Sequence, residues 1–228
     1  MCVMNDDIAM YIADEDEQFV LPIRDCFTDQ GYPVKCYGSA RNFIESLDVN
    51  GRGVLIIDAE ISGSRGFDIL KVLKENHVNL HPIVLLPDEN WESLRMAFKL
   101  GAVDVFCKSE QVSRIIRLAG QLFEYEQNLT YLRELEREVD AVMSSLSKKE
   151  EILLMYLAEG LSSKEISNKS GANARTSDVH RHNIFKKFSV HSLPQLMYKL
   201  AMAGFYNKSE LFRGSMCAND FAFKRTVL

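Results

Sequence analysis

Five short apolar runs, each followed by apolar residues at helical spacing, occupy the first half of the chain and restrict what it can fold into. The first run is Ile8–Ala13, and Phe19, Ile23 and Phe27 follow at helical spacing until Gly31. Val34–Tyr37 is the second, before a helix that Ser39 caps and that contains Phe43, Ile44 and Leu47. Val54–Ile57 is the third and ends at Asp58, before a helix carrying Phe67, Ile69, Leu70, Val72 and Leu73. Ile83–Leu86 precedes a helix over Trp91–Leu100 closed by Gly101, and Val103–Cys107 ends at Lys108. Continuous apolar runs, rather than alternating ones, belong to strands buried on both faces. The fold class that satisfies them is an α/β doubly wound five-stranded parallel sheet with helices on either side.

The second half is all-helical in pattern. From about Glu110 to Ser144 there is no proline and one glycine, Gly120. Leu122, Tyr125, Leu129, Leu132, Val139, Met143 and Leu146 follow heptad spacing, interrupted at Glu136. Two readings stay open: an amphipathic helix packed on its own chain, and a linker helix that pairs with a second subunit. Lys148–Glu159 is a helix stopped by Gly160. Ser162 or Ser163 caps a short helix to Ser170, Gly171–Asn173 is a tight turn, and a third helix runs to about Phe188. Ser192 or Leu193 opens a fourth, with Pro194 in its first turn. The expected partition is an α/β domain over 1–123, a linker helix over 124–145, a helical domain over 146–206 and a tail over 207–228 without periodicity.

Composition narrows the function classes. Residues 1–125 carry 20 acidic against 12 basic side chains, whereas residues 147–190 carry 8 basic against 5 acidic. An acidic front and a mildly basic back suit different partners. No apolar run approaches the roughly 20 residues that span a bilayer, and Met1–Asp7 lacks the order of a signal peptide, so a cytoplasmic protein without a membrane partner is expected. Cys2, Cys26, Cys36, Cys107 and Cys217 are scattered without CxxC or zinc spacing and are expected to be free and reduced. There is no GxGxxG after the first strand, no P-loop and no Ser–His or Cys–His arrangement. The expectation is therefore not an enzyme.

In an open parallel sheet, ligands bind at the C-terminal ends of the strands. Here those ends carry Asp14 and Glu15 after the first strand, Asp58 after the third and Lys108 after the fifth. Carboxylates held together repel unless a cation intervenes, and a hard ion such as Mg2+ takes oxygen ligands. A carboxylate can accept a phosphoryl group as an aspartyl phosphate, and a lysine can hold one of its oxygens as a point charge.

The segments Tyr11-Ile-Ala-Asp-Glu-Asp16, Val54-Leu-Ile-Ile-Asp58 and Gly101-Ala-Val-Asp-Val-Phe-Cys-Lys108 resemble the signature stretches of response-regulator receiver domains. The resemblance implies phosphorylation at Asp58, with Lys108 as the family's lysine. It also implies Mg2+ held by Asp14, Glu15, Asp58 and the backbone carbonyl of Glu60, and a sensor histidine kinase as donor. Leu86 stands where the family has Thr or Ser, Val105 where it has an aromatic, and Ser62 and Ser109 where proline is common. The receiver is thus atypical, and the usual hydroxyl-and-aromatic switch is expected to be absent. The alternative is a phosphorylation-independent interaction or dimerisation module that still controls DNA binding.

Leu146-Ser-Lys-Lys-Glu150, Gly160-Leu-Ser-Ser-Lys-Glu-Ile166 and Arg175–Lys187 look like a LuxR-type helix–turn–helix. Ser192-Leu-Pro-Gln-Leu196 and Ala203-Gly-Phe205 are similar to the FixJ branch of the FixJ/NarL-type regulators. The second helix of such a motif lies in the major groove of double-stranded DNA. The resemblance implies that Asp178, Val179 and His182 face bases, while Arg175, Thr176, Arg181, Lys186 and Lys187 complete the DNA-binding set. Val179, Ile184 and Phe188 are expected on one face of that helix. A homodimer is implied through the receiver, the linker helix or the last helix, near Ser192–Ala203.

Overall fold

The computed structural model of the protein describes residues 8–61, 66–88, 90–109, 112–171 and 173–205. Met1–Asp7, Ser62, Glu110 and the 207–228 tail lie outside the described residues. The chain divides into two units, Met1–Leu129 and Thr130–Leu228.

The first unit alternates strand and helix: β1 (Ile8–Ala13), α1 (Glu17–Asp29), β2 (Val34–Tyr37), α2 (Ala40–Glu45), β3 (Arg52–Asp58), α3 (Gly66–Glu75), β4 (Asn79–Leu86), α4 (Trp91–Lys99) and β5 (Asp104–Cys107), then α5 (Val112–Ser144). The strands form one parallel sheet in the order β2-β1-β3-β4-β5. The order reverses at β1 and β3, so the crevice at their C-terminal ends is the place this topology offers a ligand.

Every residue of β1 is buried. Its two faces serve two cores. Ala9, Tyr11 and Ala13 pack with Phe43, Ile69, Leu73 and Ala97 from α2, α3 and α4. Ile8, Met10 and Ile12 pack with Phe19, Ile23 and Phe27 of α1 and with Ile115, Ala119 and Phe123 of α5. Phe27, Phe43 and Phe123 are fully buried. Truncating any of them to alanine costs about 3–5 kcal/mol in transfer and cavity terms.

Two strands begin earlier than their apolar runs suggest. β3 starts at Arg52 and β4 at Asn79. β4 pairs with β3 from Asn79 to Leu85 but with β5 only from Ile83. Its first four residues include polar Asn79 and His81 and the donor-less Pro82, which a one-sided ladder tolerates.

The second unit holds the C-terminal part of α5 with α6 (Lys148–Ala158), α7 (Ser163–Ser170), α8 (Ala174–Lys187) and α9 (Leu193–Met202). Ser147 and Ser162 each close a capping box, with Glu150 and Glu165. Gly171, at φ 64°, ends α7 in the left-handed conformation, and Asn173 caps α8. The core gathers Leu153, Leu154, Leu157, Ile166, Ile184, Phe188, Leu196 and Leu200.

The heptad residues of α5 divide. Leu135, which the heptad spacing does not contain, joins Val139 and Leu146 in the core of the second unit. Tyr125 and Tyr131 are exposed. Own-chain packing therefore accounts for the C-terminal part of the stripe and leaves these aromatics in solvent. Among the described residues no helix is long and apolar enough to cross a membrane. Cys26 and Cys36 are free thiols.

Candidate functional site

Asp14 follows the last residue of β1, and its N–H donates to the carbonyl of Tyr37 on β2 (3.0 Å). Asp58 is the last residue of β3, and the next N–H, of Ala59, donates to Leu85 on β4 (2.9 Å). Lys108 follows β5, with its N–H on the Leu86 carbonyl (2.8 Å). Sheet register alone thus carries three charged side chains to one edge. Gly66 lets α3 start hard against this edge, because a Cβ there would collide with the Asp58 carbonyl.

The three side chains meet. Lys108 Nζ donates to Asp58 Oδ2 at 2.7 Å and to Asp14 Oδ1 at 3.0 Å. It lies 5.7 Å from the centre of the Phe19 ring, a contact the sequence did not announce. The N–H groups of Asp16 and Glu60 donate to Asp14 Oδ1 (2.9 Å) and Asp58 Oδ1 (3.0 Å). Burial pushes the Asp14 carboxyl above its ordinary pKa, outweighing the Asp16 N–H and the lysine. Burial also opposes the Lys108 ammonium, but its hydrogen bonds to Asp58 and Asp14 outweigh that and raise its pKa. The two directions agree: pairing favours both charges, and desolvation prevails only at Asp14, whose side chain is fully buried.

Asp14 Oδ2 is buried without a hydrogen bond, although Lys108 Nζ lies 2.9 Å away. A hard cation is the chemistry that would satisfy such an oxygen, so the donors present fit Mg2+. Glu15 and Glu60 have exposed side chains. Among the described residues no three metal-ligating side chains gather, so Glu15 does not complete a trio with Asp14 and Asp58. Leu86 is buried at the end of β4 and Val105 packs on the same core. No hydroxyl or aromatic therefore stands at those two positions.

In the second unit, Ser177 and Ile184 of α8 and its C-cap residue Phe188 are buried. Arg175, Thr176, Asp178, Val179, His182 and Lys186 are exposed, and Arg181 is half-buried over the Phe185 ring at 5.2 Å. Val179 is not on the Ile184–Phe188 face. Five residues of helix turn it about 140° away from Ile184, and it stands 55% exposed. Lys187 also departs from expectation. Its ammonium is turned inward, donating to Glu150 Oε2 and to the Ser145 carbonyl, both at 2.9 Å. Glu150 accepts as well from the N–H and hydroxyl of Ser147 (2.8 Å each). Those bonds, with Lys187, hold its carboxyl at about 2.

Residues 10–119 match the family described as response regulator receiver domain, and residues 144–200 match bacterial regulatory proteins, luxR family. The chain is 30% identical over 200 residues to the response regulator protein TmoT of Ectopseudomonas mendocina, covering 85% of this chain and 89% of that one. It is 27% identical over 203 residues to the transcriptional regulatory protein FixJ of Rhizobium meliloti (strain 1021), covering 89% and 99%. The solved structure of the response regulator StyR superposes with a TM-score of 0.58 at 23% identity, over 86% of this chain and 98% of that one. The chain belongs to the response-regulator family, as a transcription regulator that joins a receiver domain to a LuxR-type DNA-binding domain.

Proposed function

We propose that the protein accepts a phosphoryl group on Asp58 and uses that state to govern how α8 engages double-stranded DNA. The observation that carries this is the meeting of Asp58, Asp14 and Lys108 at one sheet edge. An Asp58 oxygen attacks the phosphorus of the donor, the acyl phosphate P–O bond forms, and the donor's bond to phosphorus breaks. A sensor histidine kinase is the donor this chemistry suits. Asp14 and Asp58 with the Glu60 carbonyl are the residues that would hold Mg2+, which would supply neutralisation of the phosphoryl charge. The two buried carboxylates support that reading, and Glu15 adds charge from the exposed rim. As Asp58 becomes an acyl phosphate its carboxylate charge is lost, and Lys108 transfers its hydrogen bond to a phosphoryl oxygen.

On the DNA side, Asp178, Val179 and His182 are the base-facing set, and Arg175, Thr176, Arg181 and Lys186 the phosphate-facing set. Lys187 serves the reader from behind, tying the end of α8 to the start of α6. A homodimer through the receiver, linker helix or α9 matches a two-fold operator. The protein acts as a regulator in the cytoplasm and not as an enzyme. The working domain partition is 1–123, 124–145, 146–206 and 207–228.

A second reading has its own support: buried Leu86 cannot donate the hydrogen bond that a phosphoryl oxygen needs there. Losing such a bond to a charged group costs about 1.5–3 kcal/mol. Under that reading the receiver is an interaction module whose state is independent of phosphate. The test is intact mass after incubation with acetyl phosphate and Mg2+. One added phosphoryl group, abolished in Asp58→Asn, is expected. No such gain leaves the second reading.

A further inference from the structure

A groove of about 420 Å³ lies within the second unit, between α6, α7 and α8. Its floor is hydrocarbon: Ile152, Leu153, Tyr156 and Ile166. Ile152 is 48% exposed, unusual for an isoleucine beside a packed core. The rim is cationic and hydroxylic. Lys149 and Lys169 stand on it, with His180 and Thr176 contributed by α8. The Lys169 ammonium sits 5.6 Å over the Tyr156 ring and pairs with a Glu159 oxygen at 3.6 Å, beyond hydrogen-bond distance. Ser177 is buried, which sets a polar atom low in the groove. No acidic residue lines it.

We propose that this groove is a binding site for a small hydrophobic monoanion, an alkyl or aryl carboxylate. The volume lies in the range of pockets that hold small molecules. Charge favours an anion: Lys149 and Lys169 line the groove, no acid lines it, and Glu159 beside Lys169 offsets one of the two charges only in part. The apolar floor decides its body. A phosphate of a nucleic acid gains nothing from Ile152 and Tyr156, whereas a hydrocarbon tail buries them at about 25 cal/mol for each Å² removed from water. Because three of the lining residues belong to α8, an occupant touches the same helix whose outer face carries Val179 and His182. Thr176 belongs both to the groove and to the phosphate-facing set proposed above, so an occupant and DNA meet at that residue.

The test uses the full chain, with 8-anilinonaphthalene-1-sulfonate as probe and hexanoate and hexanol as competitors. Saturable binding of one dye per chain is expected, with amide shifts confined to α6, α7 and α8. Hexanoate displaces the dye at lower concentration than hexanol. Lys149→Gln and Lys169→Gln each weaken binding about three- to fivefold. Ile152→Glu, a substitution at an exposed position that leaves the circular dichroism spectrum unchanged, abolishes it. Equal competition by hexanol and hexanoate, variants that bind like the parent, or shifts at Lys149 and Lys169 that appear with duplex DNA but not with dye would overturn the proposal. The last result assigns the groove to the DNA-contacting surface instead.

Discussion

Lys108 reaches one carboxylate 50 residues away in the chain and another 94 residues away. Nothing local in the sequence joins these residues; their positions at the C-terminal ends of β1, β3 and β5 do. That is why Asp14, Asp58 and Lys108 could be read from sequence while Phe19, which faces Lys108 from α1, could not. Lys187 shows the opposite failure. A lysine near the end of a reader helix looks like a phosphate contact, and only the fold shows that Glu150 holds it. Its side chain is one-third exposed and that of Glu150 is buried, which places the pair between a surface and a buried salt bridge. Lys187→Ala is expected to cost about 1–2 kcal/mol in chemical denaturation, largely by stranding the Glu150 charge. Glu150 titrates in the folded protein at about 2 against an ordinary value near 4.5. The folded pKa is depressed, so this stabilisation is complete above the ordinary value and fades as pH falls from there toward 2. Acid melts of Glu150→Gln should lack that part of the slope; an unchanged slope contradicts the assignment. On the outer face, Arg181→Ala is expected to weaken binding to all duplexes and to lower the dependence on salt. His182→Ala should instead alter sequence preference. Filter binding on specific and random duplexes at several salt concentrations separates the two.

At the level of elements, the five strands and nine helices described were foreseeable wherever apolar period and caps agreed. Ser39, Ser162 and Asn173 each cap a helix with the side chain, as residues of their kind do. Boundaries slipped where chemistry was mixed, as at His81 and Pro82 in β4. The position of Val179 was misjudged because α8 buries a narrow face and spends the rest of its surface on polar groups. The heptad stripe of α5 was ambiguous because an intramolecular and an intermolecular helix show the same period. The short helix α7 depends heavily on its capping box, having few apolar residues to anchor it. Ser162→Ala is expected to destabilise the helix–turn–helix by about 1 kcal/mol in scanning calorimetry of the full chain. A change below a few tenths would mean that packing through Ile166 alone holds α7.

For the whole molecule, an acidic receiver and a basic reader share one chain, and each unit carries its own core. The receiver brings Asp58 and Lys108 together but lacks a hydroxyl at Leu86. Phosphate-driven control here would therefore rest on the charge change at Asp58 and Lys108 rather than on a hydroxyl that follows the phosphoryl group. Genome-wide binding, compared between the parent protein and Asp58→Asn at equal expression, tests this most directly. The account expects discrete sites sharing a two-fold sequence for the parent, with occupancy reduced or redistributed in Asp58→Asn. Identical maps would contradict control through Asp58, and a map without discrete sites would contradict sequence-specific reading by α8.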